Sequence, residues 1–103
     1  MDTPSKGERI MIKHIVLFKL KNKADASKAI EAFYSMKGKI KGMLDLEAGT
    51  DFLESERSYD VALVCTFTDK SALESYQTDP VHLPVKKLMH EIRTASVAVD
   101  FIC

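Results

Sequence analysis

The sequence has no tryptophan, two cysteines, three prolines and four glycines in 103 residues. Two cysteines are too few for a disulfide scaffold, and no C-x-x-C pair occurs. Reduced thiols in a cytoplasmic protein are the simplest expectation for Cys65 and Cys103. The glycines are scattered, which excludes a Gly-rich loop of the kind that cradles phosphate. Net charge is absent as well: 15 Lys and Arg offset 15 Asp and Glu. That balance argues against general nucleic-acid binding, which needs a basic surface to displace counterions. The two lysine clusters, Lys19–Lys23 and Lys37–Lys41, flank element ends and read as solvated edges. No run approaches the ~18 apolar residues of a membrane span, so no membrane partner is expected. No serine-nucleophile motif and no short metal-ligand spacing occurs, so neither a metal nor a cofactor is expected.

What is present is an ordinary soluble balance, 46% hydrophobic and 29% charged, enough for one domain with one core. The first ten residues, "MDTPSKGERI", are polar, lack the apolar stretch of a signal peptide, and read as a flexible tail (1–10) ahead of a domain at 11–103. Met11–Leu20 is rich in β-branched and aromatic residues and predicts a strand that is apolar on both faces. Ala26, Ala29, Ile30, Phe33, Met36 and Ile40 keep a helical beat from about Ala26 to Lys41, with Asp25 or Ser27 as cap and Gly42 as the stop. Met43–Leu53 alternates as a second strand, with Gly49 as a bulge or bend. Tyr59–Phe67 is the clearest strand. Asp69 caps a short helix carrying Ala72, Leu73 and Tyr76. A further helix begins with Asp79 as N-cap and Pro80 in the first helical position, and places His82 in its first turn. Ala95–Cys103 is the last strand.

The order βαββαβ in about 90 residues predicts an α+β, ferredoxin-like sandwich: a four-stranded antiparallel sheet with helices on one face, strands one and three central, strand four beside strand one. Such a sheet leaves one face bare, and that face is not polar here. Burying ~600 Å² of apolar surface contributes on the order of 15 kcal/mol before association costs. The expected partner is therefore a second copy of the chain, joined sheet to sheet with two-fold symmetry.

"IKHIVLFKLK", "YDVALVCTF", "SYQTDPVHLPV" and the closing "VAVDF" together resemble the stress-responsive A/B barrel (Dabb) family, over Met11 to about Ile102. The most specific parts are the lysine–histidine pair of strand one and the set Tyr76, Pro80, His82. The resemblance implies a dimeric α/β barrel of ferredoxin-like subunits, most members of which have no assigned reaction. One branch, the plant polyketide cyclases of the olivetolic acid type, performs an intramolecular aldol condensation with two histidines. Those histidines match His14 and His82 here. The resemblance further implies that Asp100 orients the second histidine and that Tyr76 lies near the pocket. A second pocket tyrosine of that branch corresponds to Phe33. Tyr34 is adjacent but points about 100° away on a helix. Where the family commonly has proline before strand two, this chain reads "IKGML", with Lys41.

The chemistry of this set is coherent. A neutral imidazole takes a proton near pH 7 when its tautomer is fixed by a partner on the other ring nitrogen. In that reading His82, steered by Asp100, is the general base, while His14 and Tyr76 bind a developing oxyanion. The positive end of the helix disfavours a charged His82. The pocket is expected to be walled by Val16 and Phe18, Phe33, Val61 and Leu63, and Val85 and Met89. His90 falls with Lys86, Lys87 and Arg93 on the outer helix face. A purely structural reading stands beside the catalytic one: His14 bonded inside the core, and His82 with Asp100 as a polar staple between the last strand and a helix entry. Three functions remain open: a Dabb-type protein binding a small, partly apolar molecule, a cofactor-free cyclase or lyase, and a non-catalytic stress or scaffold protein.

Overall fold

The computed structural model describes residues 10–103, so the expected tail at 1–10 lies, but for Ile10, outside the described residues. The elements are β1 (Ile12–Leu20), a 3₁₀ turn (Lys23–Asp25), α1 (Ala26–Tyr34), β2 (Met43–Thr50), β3 (Val61–Phe67), α2 (Lys70–Tyr76), α3 (Leu83–Ile92) and β4 (Arg93–Ile102). All strand pairs are antiparallel, in the order β2-β3-β1-β4. This is the ferredoxin-like arrangement, with β1 and β3 central. No helix among the described residues is long and apolar enough to cross a membrane.

Strand parity sorts the sheet into two faces. Ile12, His14, Phe18 and Leu20 of β1 and Val61, Leu63, Cys65 and Phe67 of β3 are buried on the helix side. They meet Ala29, Phe33, Tyr76, Val85 and Met89 from the three helices in one core. On the opposite face, Ile15 lies between Val64 and Val99, and Leu17 between Ala62 and Val97. No helix among the described residues covers this side: Val97, Val99 and Phe101 stay 46%, 59% and 43% exposed.

Helix α1 is shorter than its apolar spacing suggests. It ends at Tyr34 and gives way to turns, with Gly38 at φ +77°. Met36 and Ile40 nonetheless stay buried, so turns deliver to the core the residues that kept the helical beat. Gly42, at φ +83°, lies where an added Cβ would sit 2.5 Å from Ala72 Cβ. That position needs glycine both for its backbone conformation and for the close approach of α2. Asp25 makes no capping bond, whereas Asn22 caps the 3₁₀ turn and Asp69 accepts the Ala72 N–H at 2.8 Å as expected. Gly49 pairs with Ala62 in regular register, and the irregularity of β2 falls instead between Met43 and Asp45.

Two polar contacts fix the frame. Asp60 is buried, and its carboxylate accepts the Leu20 N–H at 2.7 Å while its own N–H donates to the Phe18 carbonyl at 2.8 Å. The Tyr34 hydroxyl donates to the Ala48 carbonyl and accepts the Ala48 N–H, each at 3.1 Å, on the edge strand β2. Tyr34 thus points away from the core, in line with its position one residue from the buried Phe33.

Candidate functional site

A cavity of about 660 Å³ opens between the sheet and the helices. His14, Val16 and Phe18 of β1, Leu63 of β3, Phe33 of α1, Tyr76 of α2 and Val85 and Met89 of α3 line it, and His82 lies on its wall. Six of the seven expected apolar wall residues are therefore in place. Val61 is not. It is the first residue of β3, paired with Phe18 and Thr50, and is buried without lining the cavity.

His82 sits just before α3 rather than inside it. Asp79 opens a turn, accepting the Val81 N–H on its side chain at 2.8 Å and the His82 and Leu83 N–H groups on its carbonyl at 2.9 and 3.0 Å. The helix begins at Leu83, with Pro84 in its first turn, where a missing N–H is harmless. His82 makes no side-chain capping bond to α3. Its Nδ1–H donates instead to the carbonyl of Tyr76 at 2.8 Å. Tyr76 is the last residue of α2, and its carbonyl also accepts the Asp79 N–H at 3.2 Å, so the imidazole adds a second bond to the turn that closes that helix.

The expected pairing of Asp100 with His82 is thereby corrected. Asp100 is the cross-strand partner of His14, and its carboxylate bonds His14 Nδ1. The register places the two side chains on the same face of adjacent strands, which brings them together without any help from a helix. A carbonyl can only accept, so the Tyr76 contact fixes the neutral tautomer of His82 with its proton on Nδ1 and leaves the Nε2 lone pair free. The fixed tautomer expected from a carboxylate is supplied by the backbone. Burial holds the His82 pKa below the ordinary histidine value, with the positive charges of Lys86 and His14 adding to the effect and the Tyr76 bond and Asp79 opposing it. Burial, rather than the helix end, is the leading cause.

Tyr76 lies between the two imidazoles. Its ring stacks on His82, with centroids 3.7 Å apart and planes 7° from parallel, and meets His14 edge-on at 6.1 Å. Its hydroxyl reaches Met36 Sδ at 4.0 Å and lies beside the Cys65 thiol. Burial raises the pKa of this phenol well above the usual range. The ring, more than the hydroxyl, is what Tyr76 presents to the two histidines.

Several lining residues were not anticipated. Gln77, Lys86, Lys87, His90, Glu91, Arg93 and Ser96 rim the cavity. His90, expected on the outer face, is exposed but belongs to this rim, and its Nδ1 accepts from Arg93 at 3.3 Å. The spacing 82, 86, 90, 93 is one helical stripe, a signal available once His82 is taken as a starting point. Among the described residues, no group of three or more His, Cys, Asp or Glu is arranged to hold a metal ion.

The model of the stress responsive A/B barrel domain matches residues 12–103. The chain belongs to the Dabb family. A dimeric protein of unknown function with a ferredoxin-like fold from Bacteroides fragilis is similar at 28% identity and a TM-score of 0.78, covering 88% of this chain and 94% of that one. A dimeric ferredoxin-like protein of unknown function from Thermobifida fusca superimposes over 100% of both chains with a TM-score of 0.83 at 21% identity. Hydroxynitrile lyase from Passiflora edulis shares the fold at 18% identity, with a TM-score of 0.76 over 90% of this Dabb chain and 93% of its own. At the identities of the last two, the likeness is one of fold alone.

Proposed function

We propose that this Dabb protein is a cytoplasmic homodimer that binds a small, partly apolar molecule in the cavity between sheet and helices. The observation that carries the reading is the cavity itself: about 660 Å³, walled by Val16, Phe18, Phe33, Leu63, Val85 and Met89, with two histidines facing into it. An apolar pocket with a few convergent polar groups is the usual form of a small-molecule site. The dimer is supported by the apolar bare face of the sheet and by the dimeric state named for the Bacteroides fragilis relative. Both cysteines are free, the state that a reducing compartment maintains. The test is a thermal-shift screen of small aromatic and aliphatic compounds against the wild-type chain and Leu63→Trp, which fills the cavity. A ligand that raises the melting temperature of the wild type and not of the filled variant supports the reading. Stabilisation that is equal in both, or absent across the screen, ends it.

A second reading is favoured by the state of His82. A neutral imidazole with a free Nε2 on an apolar cavity is equipped to remove a carbon-bound proton without a cofactor. His14, anchored through Nδ1 on Asp100, faces the same space, and in its doubly protonated form it donates from Nε2 to an oxyanion. The Passiflora edulis enzyme illustrates lyase chemistry on this fold. In this reading a screen of aldol-type and cyanohydrin substrates finds turnover that His82→Ala abolishes while the variant stays folded. Turnover unchanged in that variant removes His82 from the mechanism.

A further inference from the structure

The cavity is apolar along its wall and cationic at its rim. Lys86, Lys87 and Arg93 line it, and among the described lining residues the only carboxylate is Glu91. Lys86 stands out by its position. It follows His82 by one helical turn, and its backbone N–H bonds the His82 carbonyl at 2.9 Å, so the two side chains rise from neighbouring points on one face. Its ammonium donates to the Gln77 carbonyl at 3.1 Å, which ties the flexible stem over the cavity. Two of its three protons are left for another acceptor. The charge reaches His82, where it helps hold the imidazole neutral. Arg93 also gives one N–H, to His90.

We infer that the ligand is an amphipathic carboxylic acid, with an aromatic or branched apolar body against Phe18, Phe33 and Met89 and its carboxylate on Lys86 beside His82. This rests on the reading of the cavity as a binding site, and goes beyond it by naming the charge of the ligand. A neutral molecule of the same shape would fill the wall equally well but leave the other two protons of the tethered ammonium to water. An acid replaces that water with a charge-assisted hydrogen bond at the edge of a low-dielectric space. A cationic ligand would meet Lys86, Lys87 and Arg93 with like charge.

The experiment uses matched probes: a series of phenylalkanoic acids and the corresponding primary amides, titrated calorimetrically into the wild-type chain, Lys86→Gln, and Lys39→Gln as a control outside the cavity. The expected result is that the acids bind about tenfold more tightly than the amides. Lys86→Gln should erase the difference, and Lys39→Gln should preserve it. Acids and amides that bind the wild type equally overturn the inference and leave the binding site itself standing. An acid preference that survives in Lys86→Gln overturns the assignment to this residue. Failure of every acid and every amide to bind sinks both the inference and the reading beneath it.

Discussion

The imidazole of His82 lies flat on the ring of Tyr76, centroids 3.7 Å apart, and its Nδ1–H returns to the carbonyl of that same residue at 2.8 Å. One residue therefore fixes the ring by its face and the tautomer by its backbone. The arrangement ties the start of α3 to the end of α2. It also keeps the histidine neutral, because burial opposes the charged form.

The first prediction follows from that neutrality. The folded-state pKa of His82 is lowered, so between it and the unfolded value of about 6.5 the unfolded chain binds the extra proton. Above about pH 6.5 the group is neutral in both states and adds no pH dependence. As pH falls below that value, stability is lost with a slope of at most about 1.4 kcal/mol per pH unit, until the folded-state pKa is passed. Urea denaturation of the wild type and of His82→Gln across this window checks it. The difference between the two curves should shrink as pH falls. Parallel curves would mean that the proton is taken up elsewhere.

The second concerns Asp60. Its carboxylate accepts the buried Leu20 N–H at 2.7 Å, where β1 meets the start of β3. Asp60→Ala strands that N–H away from water and should cost about 1–3 kcal/mol in a denaturant titration. Asp60→Asn keeps an acceptor oxygen and should lose less. Equal losses would show that the negative charge, not the hydrogen bond, is what matters at this position.

The third separates the two thiols. Cys65 is fully buried, and burial pushes its pKa up to about 12. Cys103 is exposed. A disulfide-exchange reagent near about pH 8 should titrate one thiol per native chain, and a second only in denaturant, since the thiolate is the reactive form. Rapid reaction of both in native protein would mean that the core around Phe67 and Tyr76 opens easily.

The fourth tests the bare face of the sheet. Val97, Val99 and Phe101 project from the side that no helix among the described residues covers. Wild-type protein should sediment as a dimer at micromolar concentration, and Val99→Asp should sediment as folded single chains, because a desolvated carboxylate at the centre of an apolar interface costs several kcal/mol. A wild type that sediments only as single chains removes the sheet-to-sheet dimer.

The sequence carried the sheet well. The alternation Ile12, His14, Val16, Phe18, Leu20 is the buried face of β1, and the apolar run at Val61–Phe67 is β3. Of Asp100, only its place on a strand beside β1 was legible; the register that sets it opposite His14, and so takes it from His82, was not. The end of α1 was not, since Met36 and Ile40 are as apolar in a turn as in a helix and only the backbone at Gly38 distinguishes the two. The partner of His82 was hidden for a deeper reason. It is a main-chain carbonyl, and every residue has one, so no side-chain pattern marks it. Val61 and His90 were placed on the wrong sides of the cavity boundary because periodicity assigns a face but not the depth at which a helix lifts from a sheet.

The phenol of Tyr34, which occupies both the N–H and the carbonyl of Ala48 on the outermost strand β2, bears on how the molecule behaves in a crowded solution. An open strand margin is a template onto which a stray peptide can zip. Here a single hydroxyl plugs the socket at Ala48 in the place a foreign backbone would take. A chain carrying Tyr34→Phe would keep its hydrophobic interior, yet it would offer passing extended segments a vacant docking rung and so trade solubility for stickiness.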